Sequence, residues 1–238
     1  MPRRKQQNPV TKAKLIRAAW EMFATQGYDR ATVEAIIVSL GVSKGAFYHY
    51  FASKEDILDA VIEQTSRQTL DEIKPLAEDA TLPALDRLNR FLSAARNWRL
   101  AHLDLIRDVA GVLYRDENII IRHKMYQRNV ELALPLLAGI LAQGVQEGVF
   151  DTPDPEETAR LLLYMGNVWG EIQAGALGDL EQRPENLDLI LRRMKLYVGV
   201  LERILGAPQG SIERPEPETM ARLLGETHTR RPGEKRHD

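Results

Sequence analysis

The residues best suited to chemistry lie in a short run of small and polar side chains between residues 43 and 54. Gly45 and Ala46 are small enough to let a helix backbone approach a ligand closely. Hydroxyl, imidazole and ammonium groups surround them, and each can donate a hydrogen bond to a phosphate oxygen. These donors are Ser43, Lys44, Tyr48, His49 and Lys54. The set suits binding to a polyanion, and it nominates no nucleophile or general base.

Two short helices joined by a glycine turn are predicted to position this run. Thr32 suits the N-cap of the first helix, whose inner apolar face spans residues 33–40. Gly41 supplies the left-handed residue that stops it, and Ser43 is the next N-cap. This arrangement, over about residues 33–52, is typical of a helix-turn-helix, whose second helix enters the DNA major groove. An ordinary three-helix bundle also needs a glycine turn, so a purely structural role stays open.

Charge is distributed unevenly along the 238 residues, which carry a formal net charge of −2. Residues 1–60 hold nine Lys or Arg and six Asp or Glu, a net of +3, and the remainder carries a net of −5. This asymmetry predicts a polyanion-binding segment on an acidic body. A basic terminus that is simply solvated is the alternative explanation.

The rest of the chain is predicted to be helical almost throughout. Pro135 is expected to bend or interrupt the longest helix, and the proline-rich residues 206–238 are expected to be mostly disordered. The fold class is therefore all-α, with an N-terminal three-helix DNA-binding domain and a larger C-terminal helical domain. Helices are predicted over about residues 11–25, 83–102, 103–114, 118–148, 155–177 and 186–205, and a further one begins at Ser53.

Several classes of protein are excluded by composition and by missing motifs. An apolar content of 44% allows a core, and no apolar run reaches the ~18 residues of a spanning helix. The N-terminus does not resemble a signal peptide, so we expect a cytoplasmic protein. There is no cysteine, no i, i+4 histidine pair and no GxSxG, P-loop, GxGxxG or HExxH motif. We expect no catalytic residue, cofactor or metal. A helix-turn-helix adaptor acting through protein partners and a helical enzyme without known motifs remain alternatives.

The stretch AAWEMFATQGYDRATVEAIIVSLGVSKGAFYHYFASKEDIL resembles the N-terminal domain of the TetR family of bacterial transcriptional regulators. The specific parts are GY after the first helix, T-V-x-x-I in the second, and GVSKGAFYHYF followed by SKEDIL. The resemblance implies a DNA-binding domain over residues 8–68, a ligand-binding and dimerisation domain over 69–205, and a tail over 206–238. It also implies a repressor whose operator affinity is changed by a small-molecule effector.

The resemblance further implies roles for individual residues. Ala46 departs from the family pattern, which often has Thr or Ser there, so a contacting hydroxyl is missing. The basic arm Arg3, Arg4 and Lys5 either contacts phosphates or the minor groove, or has no DNA role. Residues implied to bind the phosphate backbone are Thr32, Ser43, Tyr48, His49 and Lys54, and those implied to face base edges are Lys44, Gly45 and Ala46.

A homodimer on palindromic double-stranded DNA, with an effector pocket among the middle helices, also follows from the resemblance. Small residues on one late helix and an apolar stripe on the last predict the dimer interface, with intramolecular core as the alternative. The predicted interface residues are Gly166, Gly170, Ala174, Ile190, Leu191, Met194, Val198 and Leu201. The predicted pocket residues are Trp98, His102, Tyr114, Tyr126, Asn129, Trp169 and Gln173.

Overall fold

A computed structural model describes residues 9–101, 118–178, 183 and 185–214. These residues form eight helices and no strand, which confirms the all-α fold class. The helix predicted over 103–114 lies outside the described residues. The helices are α1 (Pro9–Gln26), α2 (Val33–Leu40), α3 (Lys44–Tyr48), α4 (Lys54–Ala77), α5 (Ala84–Ala101), α6 (Ile119–Gln146), α7 (Pro155–Gly178) and α8 (Asn186–Leu205).

The short helices begin and end where the sequence predicts, because local hydrogen bonds satisfy their free backbone groups. Thr32 Oγ1 accepts the Ala35 N–H at 3.1 Å, and Ser43 Oγ accepts the Ala46 N–H at 3.1 Å. Gly41 ends α2 at φ 63°, in the left-handed region that glycine adopts without strain. Both N-caps and the glycine stop are thus confirmed.

The chain divides into two compact units. The described part of the first unit comprises residues 9–68 and 118–129, and that of the second comprises 69–101, 130–178, 183 and 185–214. The first unit therefore includes the start of α6, a segment that the sequence-based division assigned to the C-terminal domain. Helices α4 and α6 each contribute residues to both units.

A continuous apolar core holds the first unit together. Phe23 from α1, Ile36 from α2 and Phe47 from α3 are almost completely buried in it, together with Ile57 from α4. Ile121 from α6 joins the same core at 2% exposure. The bundle therefore fixes the orientation of α3 by burying one of its faces, and it recruits the start of α6 for part of that burial.

The second unit packs α5, α7 and α8 with the ends of α4 and α6 around its own core. Buried Arg87 on α5 donates from Nε to the Ala77 carbonyl at 3.0 Å, which ties the end of α4 to this unit. Pro135 does not interrupt α6, which runs from Ile119 to Gln146 as one helix. Leu134 and Leu137, on either side of Pro135 in sequence, pack in the second core, which offsets the loss of the N–H that proline does not provide.

Residues 206–214 are ordered and packed, in contrast to the disorder expected from residue 206 onward. Glu202 Oε1 accepts the N–H groups of Gly210 and Ile212 at 2.8 and 3.2 Å, and Ile212 is 1% exposed. Asn89 donates to the Ser211 carbonyl at 3.0 Å. Buried side chains on α5 and α8 thus bind this segment's backbone, which its proline content did not reveal. Residues 215–238 lie outside the described part.

Candidate nucleic-acid interface

The turn between α2 and α3 sets the position of the candidate DNA-binding helix. The Val42 N–H donates to the Ile37 carbonyl at 3.2 Å, and the Val42 side chain packs against the core of the first unit. Helix α3 then begins at Lys44. Gly41 therefore reverses the chain, as the sequence predicts, and Val42 anchors the reversal from inside.

Helix α3 buries one side chain and leaves most of the others facing outward. Phe47 is fully buried, with its ring centroid 5.3 Å from that of Tyr48 and 5.7 Å from that of Phe51. Tyr48 remains 49% exposed, and Ala46 is half-buried. The side of α3 opposite Phe47 therefore forms an exposed polar surface. Its exposed members are Lys44, Gly45, Tyr48 and His49.

Gly45 lies on this surface in open space. A Cβ atom built at Gly45 would meet only Ser43 Oγ, at 3.9 Å. Packing inside the chain therefore does not require glycine at this position. An external partner that must approach the α3 backbone closely would account for it.

Lys44 is held by an acid that the sequence analysis did not single out. Its Nζ lies 3.3 Å from Glu34 Oε1 on α2, and both side chains are 67% exposed. A backbone N–H at the start of α2 holds the pKa of Glu34 below its ordinary value, and Lys44 lowers that pKa further. Lys44 Nζ also lies 5.9 Å from the centroid of the Tyr48 ring.

Lys54, predicted to anchor phosphate, has its ammonium directed into the protein. Its Nζ donates to the carbonyls of Tyr28 at 2.8 Å, Ala31 at 3.1 Å and Asp29 at 3.4 Å. The same atom lies 4.2 Å from the Tyr28 ring centroid. Three N–H bonds directed to three carbonyls use all the donors of an ammonium group. This geometry gives Lys54 a structural role, in which it fastens the α1–α2 connection to the start of α4.

The start of α6 is attached to the same connection. The Tyr28 N–H donates to Asn118 Oδ1 at 2.8 Å, and Asn118 is only 1% exposed. A buried amide bonded to a backbone N–H is costly to remove, because the N–H would lose its acceptor away from water. Asn118 thus positions the α1–α2 connection from a place 90 residues away in sequence.

A series of ion pairs continues this attachment along α4 and α6. Lys124 Nζ lies 2.9 Å from Glu55 and 2.7 Å from Asp59, and Arg128 Nη2 donates to Glu63 Oε1 at 3.0 Å. The hydrogen bond from Arg128 lowers the pKa of Glu63, and the one to Asp59 raises the pKa of Lys124. Sequence offered a signal here, since the acids and the cations each recur at four-residue steps on their helices.

The predicted pocket residues do not all lie in one unit. Tyr126 and Asn129 belong to the first unit, whereas Trp98, Trp169 and Gln173 belong to the second. Trp98 packs, half-buried, against the second core. The remaining two predictions, His102 and Tyr114, lie outside the described residues.

Gln173 is the most distinctive of these residues. It is 7% exposed, and its Nε2 donates to the Ile190 carbonyl at 3.4 Å. Its Oε1 is buried and has no hydrogen-bond partner among the described residues. On the same helix, Trp169 stacks on Tyr197 of α8, with the ring centroids 4.8 Å apart. Gln173 thus offers a buried acceptor that no described residue uses.

Four of the eight predicted dimer residues are instead used within the protomer. Ile190, Val198 and Leu201 are at most 8% exposed, so they cannot present an apolar face to a second chain. Leu191, Met194 and Gly170 are half-buried, and the Ala174 side chain is outside the described part. A Cβ at Gly166 would lie 3.3 Å from the Tyr197 hydroxyl oxygen, so this small residue accommodates α8 of its own chain. The intramolecular alternative is observed for Ile190, Val198, Leu201 and Gly166.

A different apolar surface is exposed on the same two helices. On α7, large apolar residues recur at three- and four-residue steps, which places them on one side of the helix. They are Leu161, Tyr164, Val168 and Ile172, each between 44% and 55% exposed, and Leu196 on α8 is 64% exposed. We call these five residues the α7 stripe. Large apolar side chains exposed along one side of a helix are typical of an interaction surface.

No cluster of three or more His, Asp or Glu side chains in the described ranges is arranged to hold a metal ion. Within the same ranges, no helix has the length and apolar content needed to cross a membrane.

Known proteins resemble this chain most clearly over the first unit. Residues 15–61 match the model of bacterial regulatory proteins of the tetR family. The HTH-type transcriptional regulator YvdT of Bacillus subtilis is 38% identical over 61 residues, which cover 26% of this chain. The match spans only 31% of the length of YvdT.

Longer similarities extend into the second unit. The fatty acid metabolism regulator protein of Bacillus subtilis is 30% identical over 151 residues, covering 63% of this chain and 76% of that protein. The crystal structure of FadR from Bacillus subtilis in complex with stearoyl-CoA has the same fold. It aligns with a TM-score of 0.55 and 23% identity, over 83% of this chain and 99% of the other. With its helix-turn-helix and the extended match to a regulator, the chain belongs to the tetR family of bacterial regulatory proteins.

Proposed function

We propose that the protein is a sequence-specific DNA-binding transcriptional regulator, acting as a repressor whose operator affinity is changed by a small-molecule effector. The observation that carries the proposal is the exposed polar side of α3, which follows a glycine turn and is oriented by the burial of Phe47. Helices presented in this way enter the major groove, where side chains read base edges.

Two kinds of contact are expected on this surface. Tyr48 and His49 are exposed and can donate to phosphate oxygens. The hydroxyl oxygens of Thr32 and Ser43 accept backbone N–H groups, but each O–H remains able to donate to a phosphate. Lys44 is the candidate base reader, because Lys donation to guanine O6 and N7 is a common specific contact. Lys54 contributes by supporting the fold.

Selection on random duplex DNA at two salt concentrations tests the proposal. The wild-type protein should recover a palindrome and lose affinity steeply as salt rises, because bound phosphates release counterions. Tyr48→Ala should bind every duplex more weakly. Recovery of no sequence, with no salt-dependent affinity, would contradict DNA recognition.

Lys44→Ala separates base reading from phosphate binding. We expect it to relax discrimination by about 1–3 kcal/mol at one base position in each half-site. The measurement is affinity for the recovered operator and for operators substituted at single positions. Equal losses on operator and random DNA would remove Lys44 as a base reader.

The regulator is proposed to act as a homodimer through the α7 stripe. Homodimers suit palindromic operators because two recognition helices lie about one DNA turn, ~34 Å, apart. Val168→Asp places a charge at the centre of the stripe. In a sedimentation-velocity experiment, the sedimentation coefficient should fall from that of a dimer to that of a monomer. Val145→Asp is the matched control, since Val145 is an exposed valine on α6 outside the stripe. A dimer unaffected by Val168→Asp would place the interface elsewhere.

The proposed effector class is a long-chain acyl thioester. The chain is similar to a fatty acid metabolism regulator and shares its fold with a protein bound to stearoyl-CoA. Ligand sites are typically apolar with a few polar groups, and Gln173 Oε1, which no described residue uses, supplies a buried polar acceptor in the second unit.

Competition between stearoyl-CoA and operator DNA tests the effector class. Reciprocal coupling requires that a ligand which weakens operator binding is itself bound more weakly when operator is present. Free coenzyme A is the control for binding through the nucleotide alone. Loss of the acyl effect in Gln173→Leu would support the site, and an operator affinity indifferent to stearoyl-CoA would reject this class.

A further inference from the structure

An acidic side chain stands on the surface proposed to face DNA. Glu34 on α2, Lys44 at the start of α3 and Tyr48 one turn later are all exposed, with Lys44 in contact with Glu34. A carboxylate beside the phosphate backbone would repel it. Exposed ion pairs contribute little to folding, so stability alone does not account for the pairing. A first-turn acid does favour α2 itself, and the test must separate that structural role.

We propose that Glu34 is a specificity-determining residue that acts by holding Lys44 away from the phosphate backbone. The inference rests on the proposed DNA-binding function. Lysine carries a compact charge on a flexible stem, and an unpaired lysine would be drawn to any phosphate regardless of sequence. Pairing with Glu34 opposes that sequence-independent attraction.

The operator places base acceptors where the Lys44 ammonium can reach them, and a random sequence does not. Guanine O6 and N7 can replace the carboxylate as acceptors for the Lys44 ammonium. On random DNA the protein must either break the Glu34–Lys44 pair for one phosphate or bring a carboxylate close to the backbone. Both outcomes weaken binding to the wrong sequence more than binding to the right one, which increases discrimination.

Glu34→Gln removes the charge and preserves the shape of the side chain. We expect random-duplex affinity to rise and its dependence on salt to steepen, as Lys44 neutralises one further phosphate. One additional phosphate per protomer, or two per dimer, changes the logarithmic salt slope by about 1.8, so between about 50 and 200 mM salt random-DNA affinity should fall about 12-fold more than in wild type. Operator affinity should change less, so the ratio of operator to random affinity should fall.

Two controls identify the route by which Glu34 acts. Glu21→Gln removes the same charge from an exposed position on α1 and should leave the operator-to-random ratio unchanged. In a Lys44→Ala background, Glu34→Gln should no longer steepen the salt dependence. Thermal unfolding of each variant records any effect on α2 separately from binding.

The outcomes distinguish this inference from the proposed function. If Glu34→Gln steepens the salt dependence equally with and without Lys44, the carboxylate acts by direct repulsion and the holding role is overturned. A loss of operator affinity at one base pair, independent of Lys44, would show that Glu34 itself accepts a hydrogen bond from cytosine. Unchanged binding in Glu34→Gln overturns the inference alone. Absence of DNA binding by the wild type overturns the proposed function and this inference together.

Discussion

Replacing Lys54 with methionine should destabilise the first unit without removing a phosphate contact. The ammonium makes two bonds of good length, to Tyr28 and Ala31, and lies over the Tyr28 ring. Lys54 is half-buried, so each bond is taken at about 1.5 kcal/mol, the lower limit for a charged donor. The ring contact adds about 1 kcal/mol of stabilisation. The conformational entropy lost when the lysine side chain is ordered cancels about 2 kcal/mol of the total. A net loss of about 2 kcal/mol is expected.

Urea denaturation and hydrogen exchange measure this loss in Lys54→Met. Amides of residues 27–32 should exchange faster, because their connection is no longer fastened to α4. Lys14→Met is the control, since Lys14 is an exposed lysine on α1. The salt dependence of DNA binding should keep its wild-type slope once the folded fraction is corrected. Unchanged stability with a slope reduced by about 0.9 per protomer, or about 1.8 for the dimer, would refute the structural role and restore Lys54 as a phosphate contact.

Three further perturbations address the interface, the ion pairs and the C-terminal segment. Gly45→Ala should raise thermal stability by up to about 1 kcal/mol yet weaken operator binding; unchanged affinity would argue against close backbone approach. The lowered pKa of Glu63 means that its stabilising contribution is complete above about pH 4.5 and is lost as pH falls through the lowered value. In Arg128→Gln, the free energy of unfolding measured with urea should therefore fall less steeply as pH is lowered below about 4.5. An unchanged pH dependence would contradict the pairing. Ile212→Ala should cost about 2–5 kcal/mol in urea denaturation, whereas a cost within ~0.5 kcal/mol would mean that residues 206–214 do not support the core.

The exposed side of α3 was predictable from sequence because the interactions that form it are local. Thr32 and Ser43 each cap a helix by bonding an N–H three residues ahead, and Gly41 reverses the chain by its own backbone conformation. Such contacts depend on neighbouring residue types alone. The helix-turn-helix and most helix bounds therefore follow from the sequence.

The roles of charged side chains required the tertiary structure. Lys54 finds its acceptors 23 to 26 residues earlier in the chain, and Lys44 finds Glu34 on another helix. A lysine beside a recognition helix has the same sequence signature whether it binds phosphate or a carbonyl. Only the positions of the acceptors distinguish the two, and these positions are set by packing.

The apolar surfaces show the same division between local pattern and tertiary context. Helical spacing identified α8 as amphipathic, and Val198 and Leu201 are indeed apolar positions along it. Periodicity does not say whether the neighbour of an apolar side belongs to the same chain or to another. Burial of Val198 and Leu201 within the protomer, and exposure of Val168 on α7, were decided by which helices pack together. The sequence by itself determined the helices and the DNA-facing turn, because those depend on contacts within a few residues; the partners of each surface depend on contacts that only the folded chain creates.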